Sequence, residues 1–375
     1  MVSLERPTWL DKLEEQLDVD VDWMDPEYIK NMPIKPHDQT SNQLWVNIEL
    51  HRPSNAEFLK QVAKDLKGEG WLAVYTRIAV LMCKKNIDNI RGRVLLQTLP
   101  SKAYDAQATV EHARLYDKEF AQAGIGRDRY CIKIPATGPA LNAARILSQE
   151  GIPTLGTAVF GLPQAIACSQ AGCLYISPYY NENRAHNDLS LWPDVNDPAK
   201  EHPNSPRIIQ IIETYKRLYE ATGKEQPFVK LARDVEGNNA FLSAKEAMAA
   251  AEMGCHSATI SHTLLDQLAK LKYDVSEQPG EGVPKPEHPY KNPGPTPSRL
   301  AQLSSTDPLT ANWDGKLAST SIDYLANGGA ELERAIRSDP IATSRLADAL
   351  KLFIGDDDNG EMSSRKKCEE AMAEA

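Results

Sequence analysis

Short apolar runs rich in β-branched residues alternate along this chain with longer stretches in which apolar residues recur at helical spacing. The runs at 17–23, 37–40, 93–98, 130–135, 154–160, 174–177, 228–232 and 257–261 read as strands. Between them, 56–66, 106–123, 139–149, 163–171, 206–222 and 243–253 read as helices. Strands separated by helices predict parallel βαβ units, and eight strands are the number that closes a barrel. The expected fold is therefore α/β, a (β/α)8 TIM barrel with extra C-terminal helices. A doubly wound open sheet is the alternative, but no Gly-rich nucleotide turn follows the first strand.

Two segments break the rhythm. Residues 181–206 are polar and follow a strand end, the side on which barrel enzymes build their sites. Residues 279–297 contain seven prolines, too many for an ordinary helix or a central strand. The expected division is a barrel over 1–275, a Pro-rich connector over 276–318 and a helical extension over 319–375 that packs on the barrel. Its charged end, 356–375, reads as a loosely held helix or frayed terminus.

Composition narrows the function classes. The 375 residues carry a net charge of −10 and no long basic run, which disfavours nucleic acid and anionic membranes as partners. No stretch has the length of a transmembrane helix, and the acidic start has neither a signal-peptide core nor a basic presequence. The six cysteines include no C-x-x-C pair and no metal spacing; Cys131, Cys168 and Cys255 sit in apolar surroundings that suit buried free thiols. A cytoplasmic protein with a small-molecule substrate, no cofactor and no metal is expected, with a homo-oligomer left open.

The most telling residue is Lys133, set between Ile132 and Ile134 in a predicted strand. An interior lysine is costly to keep charged, so it is paired, exposed or neutral. A neutral amine is a nucleophile for carbonyl carbons. A strand-end lysine with its tip in water is the plain alternative. Barrel sites gather at the C-terminal strand ends, and these carry Asp22, Asn42, Gln97, Lys133, Thr157, Ser177 and Tyr179. They offer an amine, a carboxylate and neutral hydrogen-bonding groups, without a cofactor motif or a cluster of metal ligands. His37 reads as a strand-start residue.

In this order the residues resemble the transaldolase and fructose-6-phosphate aldolase family, whose members are (β/α)8 class I aldolases. The likeness rests on the strand of Lys133, on Thr157-Ala158-Val159-Phe160, on Gln164-Ala165, on Ile176-Ser177-Pro178-Tyr179, and upstream on Asp38-Gln39-Thr40-Ser41-Asn42 and Asp22-Trp23-Met24-Asp25. It spans about residues 15 to 270 and fades in the C-terminal third. The resemblance implies that Lys133 forms an imine with a ketose or dihydroxyacetone. It further implies that Asp22 moves the C4 hydroxyl proton, that Asn42 binds substrate hydroxyls, and that Thr157 holds the water of imine chemistry.

Departures from the family pattern matter as much. Gln97 stands where transaldolases carry a glutamate, and an amide cannot act as acid or base at neutral pH. Tyr179 stands where they carry phenylalanine. Both are the pattern of the fructose-6-phosphate aldolase branch, in which tyrosine and glutamine hold the water. Glu182 replaces a phosphate-binding arginine, so Arg184 or Arg233 must supply the cation, or the acceptor is unphosphorylated. Leu155 likewise takes the place of a substrate-contacting asparagine. The leading expectation is an enzyme that cleaves, forms or transfers a three-carbon aldol unit, a transaldolase of the pentose phosphate pathway by family likeness. The alternatives are an aldolase with an altered acceptor and a non-catalytic sugar-binding barrel.

Overall fold

Strand β1 (Asp18–Asp22) reads Asp-Val-Asp-Val-Asp, and its alternation sets the architecture. Successive side chains of a strand point to opposite faces. Val19 and Val21 therefore join the outer core beneath the helices, while the aspartates face the barrel axis. A computed structural model of the chain describes residues 6–186, 188–232, 240–278, 280, 282 and 284–375. The other strands are β2 (Gln39–Thr40), β3 (Val94–Gln97), β4 (Tyr130–Pro135), β5 (Thr154–Val159), β6 (Tyr175–Pro178), β7 (Phe228–Ala232) and β8 (Ser257–Ser261). They form a closed barrel in chain order, every pair parallel, with β8 returning to β1 from Asp18↔Ser257 to Asp22↔Ser261.

The interior is layered. Leu95, Cys131, Leu155 and Tyr175, one from each of β3 to β6, form an apolar cluster of their own inside the barrel. Their outward neighbours, among them Leu96, Ile132 and Ile176, belong to the large core shared with the surrounding helices. The predicted strands agree with those observed to within two residues at each end, and the six named helices to within three. Among its described residues the region 181–206 holds short helical pieces, Asn183–His186, Leu189–Leu191 and Pro198–Glu201, before the long Ser205–Thr222 helix begins. Within the Pro-rich stretch Tyr290 is buried, and its hydroxyl donates to the Pro227 carbonyl, pinning the connector to the barrel base. All six cysteines are buried and free. Among the described residues, no helix is long and apolar enough to cross a membrane.

The terminus corrects one expectation. The end is not frayed: a Gly360–Glu374 helix packs against the Gln43–His51, Ala56–Asp65 and Trp71–Lys84 helices. Its buried face is Gly360, Glu361, Ser363, Ser364, Cys368 and Ala371, small or polar residues that give no apolar periodicity to read. Glu361 satisfies its charge by accepting from the Ser101 backbone N–H at 3.0 Å and from the Ser101 hydroxyl. The preceding Pro340–Ile354 helix lies over the C-terminal strand ends, against β5 and against the turns that follow β3 and β6.

The Ala326–Ser338 helix is attached through a glycine pair. Gly329 has φ of 91°, and a Cβ on either Gly138 or Gly329 would collide with the other's backbone. Glu333 accepts from the Gly138 N–H at 2.7 Å across the same contact. Gly138→Ala should therefore push the extension off the barrel and cost about 1–3 kcal/mol, the usual range for overpacking. A thermal midpoint equal to that of the parent would show that this contact tolerates a methyl group.

Candidate active site

Two lysines lie on the inner barrel wall, and their surroundings separate their chemistry. Lys230 sits between Val229 and Leu231 on β7, much as Lys133 sits between two isoleucines on β4. Its Nζ is 3.0 Å from Asp20 and 2.9 Å from Asp38, both fully buried, and 4.4 Å from the Tyr175 ring centroid. Burial alone would push the lysine down, but the two carboxylates outweigh it and hold the group well above its ordinary value. Lys230 is thus a fixed ammonium and no nucleophile. Asp20, Asp38 and His37 are close enough together to share one cation, and the Lys230 ammonium already fills that role for both carboxylates. Asp38 and Arg93 directly precede β2 and β3, which places this cluster toward the N-terminal end of the barrel.

Lys133 belongs to the opposite end. It is 6 % exposed and on the inward face with Cys131, one residue pair along from the apolar layer. Its register partner on β3 is Gln97, and on β5 it is Leu155. Gln97 is 1 % exposed, and neither its Oε1 nor its Nε2 has a hydrogen-bond partner among the described residues. Buried amides are nearly always satisfied, so an orphaned one facing the same wall marks a place for a polar ligand. The backbone of Gln97 is by contrast fully engaged, accepting from Gln43 Nε2 at 2.9 Å and the Tyr116 hydroxyl at 3.2 Å.

The next group lies on β5 and β6. Thr157 is paired with Ser177, and its Oγ1 is 3.2 Å from the Tyr179 hydroxyl, all buried. The strand is distorted here: Ala158 has φ of 56°, and the β5–β6 register shifts between Thr157 and Val159. A left-handed alanine costs roughly 1–3 kcal/mol and persists only where its surroundings hold it. Gln164 supplies that hold. Its Nε2 donates to the Ala136 and Ala158 carbonyls at 3.0 Å each, and its Oε1 accepts from the Phe160 N–H at 2.8 Å. The side chain ties the end of β4 to the bulge that aims Thr157.

Asp22 ends β1 and accepts a 2.6 Å hydrogen bond from the Thr40 hydroxyl on β2. Asn42 caps the Gln43–His51 helix, its Oδ1 accepting from the Leu44 and Trp45 N–H groups at 2.9 and 3.3 Å. Its amide nitrogen is the end left for another partner. Asp22, Asn42, Gln97, Lys133, Thr157, Ser177 and Tyr179 thus come together at one end of the barrel, as their order along the strands suggested. Arg184 does not join them. Its half-exposed guanidinium pairs with Glu182 at 3.0 Å and Asp348 at 3.1 Å, lining an outer groove with Lys351 and Asn359. Arg233 lies outside the described residues.

Sequence reasoning passed over Asp20 and Lys230 and took Asp38 only as part of a motif, although the alternation in β1 and the apolar neighbours of Lys230 were there to be read. It also passed over Gln164 as a fastening, and over Arg345, whose signal exists only in three dimensions.

A barrel with an amine, a carboxylate and water-holding groups at its C-terminal mouth is the layout of an enzyme acting on a small carbonyl compound. The comparisons agree in class: residues 18–291 match the model of the transaldolase/fructose-6-phosphate aldolase family. The chain belongs to that family and is an enzyme of the transferase or aldolase type. It is 28 % identical over 328 residues to a transaldolase of Synechocystis sp., covering 85 % of this chain and 71 % of that protein. Over 218 residues it is 33 % identical to a transaldolase of Nostoc punctiforme, covering 56 % of this chain and 64 % of that protein. A transaldolase of Prochlorococcus marinus is 28 % identical over 290 residues, 74 % of this chain and 79 % of its own length.

Two measurements check this description. Replacing Gln164 by leucine keeps the volume but leaves the Phe160 N–H and two carbonyls unpaired, so it should lower stability by about 1–3 kcal/mol and turnover with it. Denaturant unfolding of the variant reads the first effect. The second concerns His37. Burial would lower its pKa, but the carboxylates of Asp20 and Asp38, 3.7 and 3.0 Å from Nδ1, prevail and raise it to about 9 from the ordinary 6.5. The stabilisation from protonated His37 is complete below about 6.5 and is lost as pH rises through about 9. The thermal midpoint should fall across that window, and His37→Gln should flatten the fall.

Proposed function

We propose that Lys133 is the amine that carries the family's chemistry, acting on a dihydroxyacetone unit. The observation that carries this reading is the placement of a buried, inward lysine beside an amide, Gln97, whose two polar ends lack partners among the described residues. Lys133 attacks the ketose C2, and loss of water from the carbinolamine gives the imine. Asp22, oriented by the Thr40 hydroxyl, takes the proton of the C4 hydroxyl as the C3–C4 bond breaks. The electron pair of that bond passes into the iminium, leaving an enamine on Lys133 and releasing an aldehyde. Addition of the enamine to a second aldehyde, followed by hydrolysis of the resulting imine, completes a transfer; protonation of the enamine and hydrolysis release free dihydroxyacetone.

Which ending prevails rests with Gln97, Thr157 and Tyr179. The Thr157–Tyr179 pair presents two hydroxyls that can hold and orient a water, and Gln97 adds a neutral donor and acceptor without a charge. This set favours hydrolytic release, an aldolase-like outcome. The likeness to curated transaldolases favours transfer, the second reading.

Incubation with dihydroxyacetone or fructose 6-phosphate followed by borohydride should leave a three-carbon adduct on Lys133, seen by peptide mass spectrometry. Its absence with both donors would sink the reading. Asp22→Asn should retain the adduct with dihydroxyacetone while slowing carbon–carbon cleavage by about 10²–10⁴-fold. Gln97→Glu with Tyr179→Phe should raise transfer relative to dihydroxyacetone release, and an unchanged ratio would disprove the role given to that pair.

A further inference from the structure

Arg345 is a buried cation whose bonding is incomplete among the described residues. It lies on the Pro340–Ile354 helix over the barrel mouth, beyond the family match, and is 7 % exposed. Its Nη2 is 3.4 Å from Glu182 Oε1, a long contact. Nε and Nη1 are shut off from solvent and have no hydrogen-bond partner among the described residues. Arg207, a buried structural arginine nearby, shows the contrast. It bonds the Phe160 carbonyl at 2.9 Å, Asp307 at 3.0 Å, Thr310 at 3.0 Å and Asp339 at 2.8 Å. Burial pulls Arg345 below its ordinary value, with Glu182 opposing and Arg207 adding repulsion. A desolvated guanidinium with one long ion pair is costly unless something anionic completes it.

The geometry points to Arg345 as the residue that receives the anionic, phosphate-bearing end of the substrate, with Glu182 as the internal carboxylate that holds the guanidinium in place. The inference rests on the proposed aldol chemistry for its substrate. Glu182 follows β6 by four residues and Tyr179 by three, so the pair stands at the rim of the site. Guanidinium N–H groups are strong donors to phosphate oxygens, and Nε and Nη1 each leave such a donor without a partner among the described residues. The cation missing at position 182 of the barrel is thus supplied from the C-terminal extension. The carboxylate at 182 is its partner rather than a repellent left facing the ligand.

Titration with inorganic phosphate tests this on the full chain. Arg345→Gln should weaken phosphate binding by about tenfold or more, the loss of a charge-assisted contact. Arg345→Lys should restore part of it, and Glu182→Gln should tighten it by removing the negative charge beside the site. Were the pair only structural, both neutral variants would lower the thermal midpoint and neither would move the phosphate affinity; that result overturns the proposal. So does wild-type protein that fails to bind phosphate. In the same preparations, borohydride trapping with uncharged dihydroxyacetone reads the Lys133 reaction separately. An adduct without phosphate affinity overturns the anion site alone, and phosphate affinity without an adduct overturns the aldol reading alone.

Discussion

Closure of the barrel governs everything else in this molecule. Five register pairs from Asp18↔Ser257 to Asp22↔Ser261 join the last strand to the first along its whole length. Once closed, the two-residue period of each strand leaves every second side chain no place but the interior. Aspartates at 20 and 22, lysines at 133 and 230, and the amide of Gln97 are all sent inward by that rule. Polar groups there must pair with one another or with a ligand, because no bulk water reaches them. The interior pairing, not the surface, is what divides the structural end of the barrel from the chemical end.

The two lysines show how the division works. Each stands between apolar neighbours in a strand, and by local pattern they are equivalents. Lys230 meets two buried carboxylates and the face of Tyr175, an arrangement that stabilises the ammonium and fills the barrel base. Lys133 stands in register with Gln97 on β3 and with Leu155 on β5. A carboxylate favours the charged form of a lysine, whereas neutral hydrogen-bonding groups do so far less. Lys230 is therefore cement for the barrel base.

The C-terminal third completes the mouth rather than trailing from it. Its helices are fastened by buried polar contacts: Arg207 to Asp307 and Asp339, Glu361 to Ser101, Glu333 to Gly138. In the last helix the buried face is small and polar, so it leaves no stripe of apolar residues in the sequence. That is why 360–374 looked like a loose end and is instead packed.

Much of the site was legible before any coordinates. Short apolar runs at regular spacing suffice to specify eight strands, since strand burial on both faces requires apolar residues. The position of Asp22, Gln97, Lys133, Thr157 and Tyr179 at strand ends follows from the same reading. The sequence by itself determined the barrel, the class of enzyme and the set of polar groups available to the mouth. Only the tertiary structure decided that Lys230 is ion-paired, that Arg345 meets Glu182 and which side chain holds the Ala158 bulge. Those outcomes depend on contacts between residues distant in the chain, Lys230 with Asp20, Arg345 with Glu182, and Gln164 with the ends of two strands. Local pattern carries no information about such partners, because their energy exists only once the barrel has closed around them.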